Sequence, residues 1–220
     1  MGTEVTLGAA GRSGRGYLSE PSLPGPGVVV VPDEFGLLPH LRDRCDWLAE
    51  AGFVALAIDL YGGRTAVTPT EAQGLAGELD LVRSRGLLAT AATQLLARPK
   101  VRPQRIGAVG FGLGGRLALL TATTGALDAI VAFYAVLSAA ERSLVPCPTL
   151  LHLTGGPDEQ DQTTRGFLQD LRASGTEVTA RTWSGVPPGF ANADRPSYLE
   201  KPTVAAWVET AGFLAGHLRR

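Results

Sequence analysis

Short apolar runs alternate with longer stretches of helical periodicity along this chain. Residues 27–31 read GVVVV and are closed by Pro32, and residues 53–60 read FVALAIDL. Continuous β-branched and apolar runs of this length predict strands buried on both faces, as in a parallel sheet covered by helices. Similar runs occupy residues 105–109, 129–133, 148–153 and 178–183. Between them, Leu41, Cys45, Leu48 and Ala49 recur at helical spacing, and Gly52 is a natural stop, so residues 40–52 are predicted helical. Further helical segments are predicted over 70–97, 114–123, 163–173 and 203–217. Residues 4–20 predict a weak hairpin, and residues 21–27 a Pro/Gly loop. Strands alternating with helices along one chain predict an α/β architecture, a mostly parallel doubly wound sheet flanked by helices. No linker, repeat or low-complexity segment divides the chain, so residues 1–220 are expected to form a single domain. Ligands of such sheets sit beyond the carboxyl ends of the strands. That rule selects the loops around 32–39, 61–68, 111–115, 134–138, 154–161 and 184–194.

Composition narrows the function classes. The chain has 220 residues, 45% of them hydrophobic, which suffices for one substantial core. A net charge of -1 gives no electrostatic footprint for nucleic acid or an anionic membrane surface. The two cysteines, Cys45 and Cys147, match neither a disulfide framework nor a metal pattern, and both are expected to be structural. There is no leader-like N-terminus and no apolar run long enough to span a bilayer. The expectation is a cytoplasmic protein with a small-molecule ligand, no cofactor and no metal, as a monomer or homodimer.

The chemistry concentrates at residues 110–115, GFGLGG. As letters these fit the dinucleotide fingerprint G-x-G-x-x-G. That reading requires an acid about twenty positions on, at the end of the next strand. The next strand runs into Phe133-Tyr134-Ala135 without one, and Asp128 lies at its start. The same letters fit the sharp strand-to-helix turn G-x-Nu-x-G that presents a nucleophile. That turn needs small residues two before and two after its centre, here Gly110 and Gly114. Its centre is Gly112, which carries no nucleophile.

The surrounding segments support the second reading. VVVVPDEFGLLPHLRDRCDWLAEAGFVALAIDLYGG, RIGAVGFGLGGRLALL, LDAIVAFYA, PTLLHLTGGPDEQD and GVPPGFANADRPSY together resemble the dienelactone hydrolase family, a branch of the α/β-hydrolase fold. The resemblance covers nearly the whole chain and implies a single-domain α/β-hydrolase fold. It also implies a Cys-His-Asp triad, carried residue by residue onto this chain. The cysteine position falls on Gly112, the histidine position on Pro188 and the acid position on Asp158. An acid that interacts with the cysteine in the family falls near Asp33 or Glu34. The chain's three histidines lie elsewhere. His40 opens a helix, His152 sits between leucines and is expected to be a satisfied core histidine, and His217 is expected to be solvated.

Covalent hydrolysis needs a side-chain nucleophile and a base within hydrogen-bond reach of it. Glycine and proline supply neither. What survives side-chain loss is backbone. The N–H of Leu113, and one near Glu34 or Phe35, would form an oxyanion hole at a helix N-terminus. Phe35, Tyr61, Tyr134, Pro188 and Phe190 would line the pocket with Gly112 as its floor. Asp33 and Asp158 are the candidate acid–base residues, with Glu34 beside the substrate. The first expectation is a non-hydrolytic enzyme that binds a carbonyl-bearing small molecule and promotes cyclisation, isomerisation or elimination, as in specialised metabolism. A non-catalytic small-molecule or protein binder is the alternative. A weak carboxylate-dependent ester or lactone hydrolase is the third.

Overall fold

The computed structural model describes residues 1–8, 14–141, 144–155 and 161–220. Its frame is an eight-stranded sheet in the order β1-β2-β4-β3-β5-β6-β7-β8. The strands are β1 (Thr3–Leu7), β2 (Gly14–Ser19), β3 (Gly25–Val31), β4 (Val54–Asp59), β5 (Val101–Phe111), β6 (Ala129–Phe133), β7 (Thr149–Thr154) and β8 (Val178–Trp183). β1 and β2 form the expected antiparallel hairpin, and β2 also pairs antiparallel with β4. All pairings from β4 through β8 are parallel.

Six α-helices cover the sheet among the described residues: α1 (Pro39–Glu50), α2 (Pro69–Gly77), α3 (Leu81–Leu96), α4 (Leu113–Thr121), α5 (Gln162–Ala173) and α6 (Glu200–Leu218). Alternate residues of the central strands face opposite helix layers, as the pleat requires. Val29, Val31, Ile58 and Ala132 pack with Leu88 and Leu95 of α3, Leu117 of α4 and Phe167 of α5. Val28, Val30, Val109 and Phe133 pack with Leu41 and Leu48 of α1 and with Trp207 and Leu214 of α6. Each of Val28–Val31 is fully buried, and each such burial contributes about 1.5–3 kcal/mol. This two-sided burial is why the strand reads as an unbroken apolar run.

Two elements depart from the pattern. The helical stretch expected over 70–97 is two helices. Thr68 and Glu71 close a capping box on α2, and Asp80 accepts the Arg83 N–H (3.0 Å) to start α3. Three residues, Glu78 to Asp80, separate the two helices and let the chain turn. β3 also begins at Gly25, inside the stretch expected to be loop. A Cβ on Gly25 would lie 2.0 Å from the Gly52 carbonyl oxygen, so only glycine admits this close approach.

The topology brings the ends of β3, β4, β5 and β6 side by side, since β3 pairs with β4 and β5, and β5 with β6. The chain leaves them at Pro32, Leu60, Gly112 and Tyr134 respectively.

Candidate functional site

Gly112 links β5 directly to α4 with φ 47° and ψ −114°. Its N–H donates to the Phe133 carbonyl (3.0 Å), and its carbonyl accepts the Arg116 N–H (3.0 Å). Its neighbours show why the turn needs glycine. A Cβ on Gly110 would lie 2.4 Å from the Gly114 oxygen, and one on Gly114 would lie 2.3 Å from the Pro32 oxygen. These contacts are backbone and cannot yield. They are the crowding of a nucleophile-type turn, and β6 ends at Phe133 and is followed by Tyr134, with no acid at the ribose position.

A Cβ built on Gly112 would point between the loop after β3 and the end of β6. It would meet Glu34 Oε2 at 3.2 Å, Asp33 Cβ at 3.8 Å and Tyr134 Cδ2 at 4.0 Å. The Glu34 carboxylate, the Asp33 side-chain stem and the Tyr134 ring therefore surround the point from which a nucleophile would project.

Asp33 is 4% exposed. Its Oδ1 accepts the Phe35 N–H (3.0 Å), and its Oδ2 accepts from Asn192 Nδ2 (3.1 Å). The Asn192 carbonyl oxygen accepts the Asp194 N–H (3.1 Å), which fixes the amide so that its NH₂ faces Asp33. Burial, reinforced by the neighbouring Glu34 charge, raises the Asp33 pKa to about 6 against the pull of these hydrogen bonds and of Arg195. Arg195 lies with its guanidinium 3.8 Å over the Phe35 ring and donates to the Val67 carbonyl (2.8 Å).

The Phe35 N–H is engaged by the Asp33 side chain. Of the two candidates for the second oxyanion donor, this leaves the Glu34 N–H, which has no acceptor among the described residues. The Leu113 N–H opens α4, where first-turn donors have no intrahelical acceptor.

The Tyr134 ring borders the Gly112 position, and Tyr61 packs against the loop at Gly36. Burial and the charges of Asp33 and Glu34 raise both phenols above their ordinary pKa, so both oxygens carry protons. Both phenolic oxygens are buried without a hydrogen-bond partner among the described residues. Phe35 is buried over a small cluster with Ala66 and Ala72. Phe190 is 0% exposed and packs edge-on behind Tyr134 at 6.0 Å, so it supports the site from the core and does not line it. Pro188 is exposed on the turn that precedes it. Asp158 lies outside the described residues.

The histidines are accounted for. His152 is fully buried, accepts from Trp183 Nε1 (3.2 Å) at Nδ1 and faces Thr210 Oγ1 (3.1 Å) with Nε2. Burial lowers its pKa to about 3, so it is the neutral, satisfied core histidine the sequence suggests. His40 binds Asp194 Oδ2 through both its N–H (3.0 Å) and Nδ1 (2.8 Å), which ties the start of α1 to the segment carrying Asn192. His217, expected to be solvated, is instead mostly buried, at 16% side-chain exposure, because its ring packs on Phe213 (4.5 Å) beside Glu177. Cys45 and Cys147 are buried thiols with raised pKa values, far from thiolate reactivity.

A separate cavity of about 520 Å³ lies on the outer side of the loop after β4, lined among others by Glu4, Arg15, Arg42, Asp59 and Arg64. It includes neither Asp33 nor Gly112. Arg42 is paired with Glu4 (2.9 Å) and Arg64 with Glu78 (2.8 Å), all substantially exposed. The buried Asp33, by contrast, lies at the turn.

The dienelactone hydrolase family profile matches residues 15–218. The chain belongs to the dienelactone hydrolase family. Among relatives of this dienelactone hydrolase-family protein, Protein usf of Aquifex pyrophilus is 28% identical and spans 99% of this chain and 100% of its own length. Carboxymethylenebutenolidase 1 of Cupriavidus pinatubonensis is 28% identical over 97% of this chain and 96% of its own. The crystal structure of a dienelactone hydrolase-like promiscuous phosphotriesterase from metagenomic libraries superposes with a TM-score of 0.80 at 26% identity, covering 99% of this chain and 98% of that one.

Asn192 and Arg195 escaped the sequence reading. Both lie in the segment GVPPGFANADRPSY, which was singled out for Pro188 and Phe190. No periodicity places Asn192 against a carboxylate 159 positions away.

Proposed function

We propose that this dienelactone hydrolase-family protein has lost covalent hydrolysis and acts on a carbonyl-bearing small molecule by proton transfer. The observation that carries this reading is the buried Asp33, whose Cβ lies 3.8 Å from the empty position above Gly112, next to the Glu34 carboxylate at 3.2 Å. With glycine at the turn there is no atom to form an acyl-enzyme, and the exposed Pro188 offers no base. The backbone still offers the N–H groups of Leu113 and Glu34 to an oxygen that gains negative charge, aided by the α4 dipole. A carboxyl with a pKa of about 6 exchanges protons near neutral pH. In its ionised form Asp33 removes a proton from the carbon next to the bound carbonyl. The C–H electron pair then forms the enolate, whose charge rests on the oxygen in the hole. Return of the proton at another position gives isomerisation, and attack by the enolate carbon or loss of a leaving group gives cyclisation or elimination. These are steps of the kind used in specialised metabolism. Asp158 stands as a second candidate for proton transfer, on the family pattern alone.

A second reading is direct hydrolysis. It is favoured by the same empty position, which would admit a water within hydrogen-bond distance of Glu34, and by the name of the Cupriavidus relative. Carboxylate-activated water would then attack a lactone without a covalent intermediate.

Turnover of ester, lactone and carbon-acid substrates in a mixture of H₂¹⁸O and D₂O separates the two. The first reading expects deuterium on carbon and no ¹⁸O, and loss of turnover in Asp33→Asn. Labelling of the native protein by a fluorophosphonate, at any residue of the turn, would contradict both.

A further inference from the structure

One short turn reaches along the loop that carries Asp33 and holds it at three points. The turn is residues 192–195. It is closed by the Arg195 N–H on the Asn192 carbonyl (3.1 Å) and by the Asp194 N–H on the Asn192 side-chain oxygen (3.1 Å). The loop runs from Asp33, just past β3, to His40 in the first turn of α1. At its start, Asn192 Nδ2 donates to Asp33 Oδ2 (3.1 Å). In its middle, the Arg195 guanidinium lies 3.8 Å over the Phe35 ring. At its end, Asp194 Oδ2 accepts the His40 N–H (3.0 Å) and faces His40 Nδ1 (2.8 Å).

The contact at His40 replaces one that the local sequence lacks. α1 begins at Pro39 after Leu38, with no side-chain cap and no acid in its first turn. The carboxylate that caps a helix start usually stands beside it in sequence. Here it comes from 154 positions away. A carboxylate only accepts, so His40 Nδ1 carries the hydrogen and the tautomer is set. His40 is 4% exposed. Burial lowers its pKa against the pull of Asp194, with Arg44 lowering it and Asp43 raising it further. Near neutral pH the tie is therefore a neutral imidazole N–H on a carboxylate.

What this tie adds follows from the shape of Asn192. An amide has a donor end and an acceptor end of nearly equal size, and only the donor end suits the Asp33 carboxylate. The Asp194 N–H on the acceptor end selects that sense, and His40 holds the Asp194 residue where its N–H can do so. A side-chain turn of this kind forms from local sequence. Its placement against a distant loop does not. We propose that His40 and Asp194 are positioning residues for Asp33, acting through the Asn192 amide to orient the carboxyl that transfers the proton. This rests on the proton-transfer reading above. Asp33 is then held at both oxygens, by Asn192 Nδ2 and by the Phe35 N–H (3.0 Å), and cannot rotate without losing one of them.

The test reads Asp33 directly, by ¹³C NMR of protein labelled at its aspartate carboxyl carbons, with the signal assigned by its loss in Asp33→Asn. Besides burial, Glu34 raises the Asp33 pKa, and Asn192, the Phe35 N–H and Arg195 lower it. The His40 variants alter none of these residues. Asn192→Leu is expected to move the Asp33 titration up by roughly one unit, the scale of a lost hydrogen bond to a charged group, and His40→Leu by about half of that. His40→Asn sets an amide N–H near the Nδ1 position and is expected to restore the wild-type titration. The deciding comparison is the double variant. In an Asn192→Leu background, His40→Leu is expected to shift Asp33 no further while still lowering the thermal midpoint. If the leucine variant does not fold, His40→Gln, whose amide reaches past the Nδ1 position, takes its place in both backgrounds. A lowered midpoint with an unmoved Asp33 titration would make His40 merely structural and overturn the proposal. An equal shift in both backgrounds would overturn it too, since His40 would then act by another route. Proton transfer is read separately, as deuterium entering α-angelica lactone, a small lactone with a C–H next to its carbonyl, in D₂O. An acid limb of exchange that follows the Asp33 titration from variant to variant is expected. Exchange no faster than buffer in wild type, with the titration shifts as expected, would overturn proton transfer to this probe and leave the positioning of Asp33 standing.

Discussion

Replacing Asp33 with asparagine should change how the stability of the protein depends on pH. Asp33 has a pKa of about 6 in the folded chain against an ordinary value of 3.8, with burial as the main cause and the Glu34 charge second. The folded state therefore binds this proton more tightly than the unfolded state does. For such a group, the favourable contribution is fully present below about pH 4 and is lost as pH rises to about 6 and beyond. A difference of about two pH units at about 1.36 kcal/mol each sets the loss at roughly 3 kcal/mol. Asparagine stays neutral throughout. Its carbonyl can still accept the Phe35 N–H, but its NH₂ meets the Asn192 NH₂, which cannot turn because the Asp194 N–H holds the other end. That mismatch costs about 1–3 kcal/mol at every pH. Asp33→Asn is thus less stable than wild type at pH 4, and by pH 8 the deficit closes or reverses, a swing of about 3 kcal/mol. Urea unfolding of both proteins at intervals from pH 4 to pH 8 reads the swing as a difference, in which other titrating groups cancel. Glu34→Gln in the Asp33 background should narrow the swing, because it removes the second cause. A stability difference that is flat with pH, or that grows toward pH 8, would refute the assignment of a buried, reluctantly ionised carboxyl.

Three further outcomes are expected. Gly114→Ala drives a Cβ to 2.3 Å from the Pro32 oxygen and should destabilise by about 4 kcal/mol or more, seen as loss of soluble folded protein, whereas Gly112→Ser meets only the movable Glu34 carboxylate at 3.2 Å and should fold with a midpoint about 2–8 °C lower from its positive φ. His152→Leu strands the Trp183 indole N–H and the Thr210 hydroxyl, at about 2–4 kcal/mol near neutral pH in equilibrium unfolding. Because the folded pKa of His152 is about 3 and the unfolded one 6.5, that deficit should shrink as pH falls below about 6.5. Asn192→Leu removes a hydrogen bond that lowers the Asp33 pKa, so the acid limb of the pH–rate profile should move upward from about 6.

The sheet was readable because two-sided burial leaves unbroken apolar runs, as in Val28–Val31, and because glycines and prolines punctuate them. The turn was readable because backbone crowding at Gly110 and Gly114 admits no side chain. Asp33 was named as a candidate, with Glu34, from the family resemblance. Its partners were not. Asn192 and the His40–Asp194 tie join positions more than 150 residues apart, and such contacts follow from where loops land once the sheet has formed. The break between α2 and α3 was missed because Gly77 and Asp80 sit within a stretch whose helical periodicity continues on both sides. The unpartnered state of the Tyr61 and Tyr134 hydroxyls is likewise invisible in a string of letters, since it depends on what is not nearby.

Gly112 has one more consequence, and it is evolutionary. A nucleophile turn taxes any residue with a side chain, since φ 47° is foreign to it, and glycine is exempt. Selection for stability therefore favours glycine there once the nucleophile is no longer needed. The rest of the turn has no such freedom, because Gly110 and Gly114 are required by the fold itself. The turn thus persists whatever residue stands at its centre. A glycine codon GGT or GGC is one base from cysteine, and a proline codon CCT or CCC is one base from histidine. On the family resemblance, residues 112 and 188 mark a short mutational path along which covalent chemistry could be selected in the laboratory.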